Sequence, residues 1–213
     1  MNPRYPDYDV QSKRAGPSWD PITRHVIDQR LAVSGQPRFL EPSAFRTLVA
    51  VCARILPQPA DRPLVPLASM VDKRLKDDRG DGYRDSRMPP LREAWRRGLT
   101  ALDAEARAAY GKDFAALRSR EQDQLLELAQ AGDLRHAAWQ DMPCELFFTQ
   151  RVLHDITAAY YGHPTAWNEI GFGGPANPRG YVRLAANHRD AWEPAEAHPG
   201  AEQKARELNH RVR

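Results

Sequence analysis

Cysteine is scarce in this chain, and the scarcity removes two kinds of chemistry at once. Cys52 and Cys144 are the two present among 213 residues, with no Cys-x-x-Cys pair. A thiolate metal site and a redox dithiol are therefore not expected. Both thiols lie in apolar stretches, so two buried free cysteines are expected, with one disulfide between them as the alternative. A hydrophobic run of about eighteen residues or more, the length of a membrane span, is also missing. The start, MNPRYPDYDVQSKRAGPSWDP, has no apolar stretch of the secretory kind, since Ala15, Gly16, Pro17 and Ser18 follow the basic pair Lys13 and Arg14. No segment alternates polar and apolar residues with period two, so strands are not expected. A concentrated basic face is absent as well: 31 basic and 28 acidic residues interleave to a net +3. That pattern argues against a nucleic-acid partner.

What is present reads as helix. The length suffices for one compact domain. The 41% hydrophobic content and a mean hydropathy of −0.69 point to a modest core with much polar chain around it. Phe45, Leu48, Val49, Cys52, Ile55 and Leu56 mark one face of a helix from Pro42 to Leu56. The segment PQPADRPLVP ends it, because four prolines in ten residues permit no helix interior. Leu67, Met70, Val71 and Leu75 mark a second helix over 66–77, and Leu91, Trp95, Leu99 and Leu102 a longer one over 90–110. A further helix opens on a capping box of Ser119 and Gln122 and stops at Gly132. The last strong one covers 143–161, anchored by Phe147, Phe148, Val152, Ile156 and Tyr160. Shorter candidates are 21–31, with Asp20 as cap and Pro21 in the first turn, and 201–210. The fold expected is all-α: a small bundle of about five main helices. The division expected is an N-terminal arm over 1–40, mostly extended, a helical domain over 41–184 and a polar tail over 185–213.

The stretch GHPTAWNEIGFGGPANPRGYVRL, residues 162–184, holds five of the thirteen glycines and reads as a long Gly/Pro/aromatic loop. A phosphate-cradling glycine loop needs a strand before it and a helix opening after it. Here a helix leads in, Pro175 and Pro178 follow, and no Gly-Lys-Ser/Thr is present. Trp167, Phe172 and Tyr181 beside Arg179 and Arg183 instead match the composition of interface anchors. A loop folded back over its own helices is the competing reading. Elsewhere, the neighbours His154 and Asp155 have the residue types of a metal phosphohydrolase pair, but no spacing ties His25, His136 or His163 to them. Glu169 is available as an acid or base, and pairing with Arg179 or Arg183 is its more ordinary use. No nucleophile, base and orienting group assemble along the sequence. No catalytic residue, metal ligand or cofactor site is therefore assigned to this chain.

FRTLVAVCARILPQP at 45–59 and FFTQRVLHDITAAYYGHPTAWNEIGFGGPANPRGYVRL at 147–184 resemble the gluconate 2-dehydrogenase subunit 3 family. The resemblance extends over roughly residues 40 to 184, and its specific part is the second block. It implies a small, non-catalytic subunit that binds, stabilises or helps mature a large dehydrogenase of the glucose–methanol–choline type. That partner would carry FAD, oxidise sugars, sugar acids or glycosides, and pass electrons to a cytochrome c subunit in some complexes. The loop positions Gly162, His163, Pro164, Trp167, Glu169, Gly171, Phe172 and Pro175 transfer to this sequence as partner-binding residues. Members of the family commonly begin with a twin-arginine export signal, which this sequence does not show. A cytoplasmic location is therefore expected, with periplasmic delivery alongside an exported partner as the alternative. Two other functions stay open: a self-sufficient enzyme around Glu169 and His163, and a scaffold without a dehydrogenase partner.

Overall fold

The computed structural model describes residues 4–33, 35–60, 63–181, 190 and 192–211. In chain order its helices are α1 (Pro21–Leu31), α2 (Pro42–Ile55), α3 (Leu67–Asp77), α4 (Leu91–Tyr110) and α5 (Ser119–Ala131), followed by α6 (Cys144–Phe147). A π-helical segment, Phe148–Leu153, joins α6 to α7 (His154–Tyr161); α8 (Pro164–Ile170) and α9 (Glu202–Arg211) complete the set. No strand occurs among the described residues, and Trp19 and Asn177 form an isolated bridge. The chain is all-α, as expected. It divides into two compact units: residues 1–33 with 161–213, and residues 34–160. These units do not follow the three segments expected from composition, because the two arms and the 162–181 stretch share one unit.

In the 34–160 unit, α4 packs against α2, α5 and α6. Its stripe of Trp95, Leu99 and Leu102 is fully buried, as its spacing predicts. Trp95 meets Phe147 edge-on at 5.4 Å, and Trp139 tilts onto the same Phe147 at 5.7 Å. Gly98 sits in mid-helix, where glycine costs up to about 1 kcal/mol relative to alanine. It is needed there because a Cβ would stand 2.2 Å from the Phe147 ring. Two buried carboxylates brace the unit. Asp72 on α3 accepts the backbone N–H groups of Arg38, Phe39 and Leu40. Asp103 on α4 accepts from the Thr47 hydroxyl and the Phe114 N–H, each at 3.0 Å, and burial holds its acidity weak by raising the pKa. Cys52 and Cys144 are buried and unpaired, with burial pushing the Cys52 thiol up to about 12.

Two local details differ from the sequence reading. The expected Ser119–Gln122 box gives way to half of one a residue earlier. Arg118 precedes α5 and its N–H donates to Glu121 Oε2 at 2.8 Å, while the arginine side chain has no acceptor for the other half. A charged carboxylate is a stronger acceptor there than the Gln122 amide. The 143–161 helix is not α throughout. Its anchors Phe148, Val152, Ile156 and Tyr160 recur every four residues, which overshoots a full α turn by about 40° at each step. The wider π turn offsets part of that drift, and all four stay buried.

The other unit owes its core to residues far apart in sequence. Tyr5, Tyr8, Val10, Trp19, Ile27, Trp167 and Trp192 form one buried cluster. Val10 N–H donates to Asn168 Oδ1 at 2.8 Å, and Trp19 Nε1–H to the Pro175 carbonyl at 3.0 Å. Asn209 Nδ2 donates to the Pro6 carbonyl at 2.8 Å, while Arg206 pairs with Asp7 at 2.9 Å. The N-terminal arm is thus folded, not extended. Helix α1 has the cap expected of it, Asp20 accepting from Thr23 N–H at 2.7 Å with Pro21 in the first turn. Helix α9 spans the short C-terminal candidate.

Candidate partner interface

The segment read as a loop contains a helix. His163 caps α8 through Nδ1, which accepts the Thr165 N–H at 3.3 Å, and Pro164 takes the first turn. Gly171, at φ +66°, ends the helix, and both its N–H and that of Phe172 donate to the Trp167 carbonyl. Gly171 answers a second demand: a Cβ there would fall 2.2 Å from the Tyr5 ring. Gly174, at φ +72°, admits Val10 in the same way, with a Cβ 2.8 Å from its Cγ2. These glycines let the N-terminal arm close over α8. That is their physical reason, and it is internal to the unit.

Trp167 is accordingly not an outward anchor. It is 3% exposed, belongs to the unit's core, and donates Nε1–H to the Tyr161 carbonyl at 2.7 Å. The Arg30 guanidinium lies 5.8 Å from its ring and donates to the Gly162 carbonyl at 2.9 Å. Burial also takes His163 and Pro164. The His163 pKa is lowered, by desolvation first and by Arg30 second. Glu169 is half-buried on α8, and the Pro175 carbonyl serves Trp19. Arg183 lies outside the described residues.

Two rings do face outward. Phe172 is 40% exposed and Tyr181 38%. Phe172 meets Trp167 edge-on at 5.4 Å and stacks parallel to Tyr181 at 6.2 Å. Tyr181 then tilts onto Trp192 at 4.7 Å and donates its hydroxyl to the Gly174 carbonyl. The Arg179 guanidinium covers Trp192 at 4.1 Å. The result is a seam of four rings, its ends buried and its middle two in solvent, with Tyr161 and Ile170 exposed on the same unit. Rings held this way lose little freedom when a partner covers them.

Beneath the seam lies a residue the sequence reading passed over. Lys13 is buried, donates Nζ–H to the Gly173 carbonyl, and lies 4.4 Å from the Trp192 ring and 5.9 Å from that of Tyr8. Burial, then Arg179, lowers its pKa to about 8, against a raising influence from Glu193. Nothing local announces this site, since Lys13 appears in sequence only as half of a basic pair. A pH dependence follows. Between about pH 8 and 10.5 the unfolded chain holds a proton on Lys13 that the folded chain has released, so stability rises with pH there. Burial of Tyr8 raises its pKa, which opposes the rise once the unfolded tyrosine ionises near pH 10. The raised Cys52 and Cys144 thiols oppose it too, once the unfolded thiols ionise at about pH 8.5. The test is therefore a difference: from about pH 8 to about 9.5, urea denaturation should show the stability of the parent rising relative to that of Lys13→Met.

In the 34–160 unit, His154, Asp155 and Asp81 bring possible ligand atoms within 4.8 Å of one another. Two guanidinium groups already occupy the carboxylates. Arg74 lies 3.3 Å from Asp155 and 2.5 Å from Asp81, and Arg151 lies 3.6 Å and 3.7 Å from the same pair. Trp95 Nε1–H adds a 2.7 Å bond to Asp155 Oδ2, and His154 Nδ1 lies 3.0 Å from Oδ1. The arrangement is a charge-compensated knot that ties α3, α4 and α7 together.

The architecture is that of an all-helical protein with a partly exposed aromatic seam, and comparison with known families agrees with the sequence resemblance. Residues 42–174 match the family described as gluconate 2-dehydrogenase subunit 3, and the chain belongs to that family. Neither the curated proteins nor the solved structures gave a match. No helix among the described residues is long and apolar enough to cross a membrane.

Proposed function

We propose that this chain is the non-catalytic accessory subunit of a dehydrogenase complex, binding and stabilising a large FAD-dependent subunit of the glucose–methanol–choline type. Membership of the gluconate 2-dehydrogenase subunit 3 family carries the reading, since it makes the chain a subunit of an oxidoreductase complex. The finer content is our own: the flavin and the oxidation of sugars, sugar acids or glycosides belong to the partner, and a cytochrome c subunit takes the electrons. Phe172 and Tyr181 are the seam residues that remain available to meet the partner. Trp167, buried and edge-on to Phe172, backs that pair from the core.

The test is purification of the tagged full chain together with its partner. A flavoprotein at equal stoichiometry is expected, identified by flavin absorbance. Phe172→Ala combined with Tyr181→Ala should weaken the association by about tenfold or more, as truncating interface anchors does. Helical content should not change, because both rings are partly exposed. Recovery of the chain with no flavoprotein would favour a scaffold instead.

A further inference from the structure

The connection between α3 and α4 borders a cavity of about 260 Å³ beside the knot of Asp81 and Asp155. Met88 and Leu91 give it apolar wall, while Asp78, Asp81, Arg84 and Arg151 bring charge. The wall is held by its own hydrogen bonds. Arg74 Nε–H donates to the Arg79 carbonyl at 2.9 Å, Met88 N–H to the Asp85 carbonyl at 3.0 Å, and the Arg84 guanidinium to the Met88 carbonyl. Pockets for drug-sized molecules usually exceed about 300 Å³, so this one suits something smaller.

Charge narrows the occupant. Asp78 has Arg92 at 3.4 Å, Asp85 has Arg87 at 3.0 Å, and Asp81 and Asp155 share Arg74 and Arg151. Arg84 has no carboxylate partner among the described residues, so the cavity keeps an excess of positive charge. Arg151 supplies the stronger argument. Its side chain is 12% exposed, and its contacts with Asp81 and Asp155 are 3.7 Å and 3.6 Å long. Those lengths exceed a hydrogen bond, and the guanidinium makes none to any described residue. It carries five N–H donors, and burying donors without acceptors is costly. An acceptor seated in the cavity that Arg151 lines would relieve that cost. Arg151 also stands in the π-helical segment, a kind of turn frequent at functional sites. A metal cation would meet the positive charge of Arg74, Arg84 and Arg151 and is disfavoured.

We infer that this cavity binds a small oxyanion, a carboxylate or a phosphate, through the planar guanidinium groups of Arg151 and Arg84. The site is separate from the aromatic seam and does not rest on the accessory-subunit reading. The test is a nitrogen-15 NMR titration of the full chain with inorganic phosphate and, separately, with acetate. Ionic strength is held constant with sodium chloride. For at least one of the two anions, saturable shifts are expected in the amides of residues 78–91 and in Arg151 Nε–H, with a midpoint at about 10 mM or below. The anion with the lower midpoint identifies the oxyanion that the cavity prefers. Arg84→Gln should raise the midpoint about tenfold or more, the usual effect of losing a hydrogen bond to a charged group. Arg151→Lys keeps the charge that balances Asp155 but removes the fork, and should raise the midpoint in the same way. If Arg151→Lys fails to fold, Arg84→Gln decides alone, because that side chain is exposed. No saturable shift with either anion, the same shifts with sodium chloride alone, or a midpoint unchanged by Arg84→Gln overturns the site.

Discussion

Trp167→Ala is expected to destabilise the protein by about 3–5 kcal/mol, the range for deleting a buried tryptophan. The substitution empties the middle of a cluster that includes Tyr5, Val10, Trp19 and Trp192. It removes the Nε1–H bond to the Tyr161 carbonyl and the ring against which Phe172 rests. The repair available to most cores, sliding a neighbour inward, is limited by Gly171 and Gly174, whose backbones already touch Tyr5 and Val10. Partner binding should fall as well, but as a consequence of lost structure. Chemical denaturation separates the cases. A large drop in midpoint places Trp167 in the core, whereas a variant as stable as the parent that binds poorly would make it an interface anchor.

Asp155→Ala should cost a similar amount, about 3–5 kcal/mol, which is the usual result of removing one member of a buried charge network. Asp155 is almost completely buried, and two guanidinium groups and the Trp95 indole converge on it. Alanine would leave the Trp95 N–H without that acceptor and leave Arg74 and Arg151 sharing Asp81 alone. Asp155→Asn keeps an acceptor for the indole and loses the charge, so it should cost less than alanine. The two midpoints from thermal or urea unfolding, read against the parent, test this order. If both variants were as stable as the parent, the knot would not be structural, and the closeness of Asp81, His154 and Asp155 would need another explanation.

The helices of the 34–160 unit were legible in extent from their apolar period. Helix α2, though, buries Thr47, Leu48, Val51 and Cys52, a face turned from the one its period marks, and leaves Val49 exposed. Pro42, Pro90 and Gly132 stood where the chain starts or stops turning. The π turn was not legible, since anchors spaced by four look helical until their drift is added up. Helix α8 was missed for a different reason. Seven residues are too few for periodicity, and its marks, a capping His163, Pro164 in the first turn and a terminal Gly171, were read as loop residues. The second unit could not be read from local pattern at all. Its core joins Tyr5 and Val10 to residues near 170, and no short window holds both halves. That gap also misdirected the reading of the aromatic residues. A tryptophan among glycines and prolines looks exposed until the arm that covers it is in place. Of the seam's rings, Phe172 and Tyr181 are the two that stay partly exposed.

The central claim, that this chain serves a flavin dehydrogenase and does not act alone, is tested most directly by producing the large subunit with and without it. The measurements are soluble yield, flavin occupancy and sugar-oxidising activity of the large subunit under the same conditions. With the chain present, the large subunit should be soluble, flavin-loaded and active; without it, at least one of these should fall severalfold. A large subunit equally soluble, loaded and active in both cases would contradict the account.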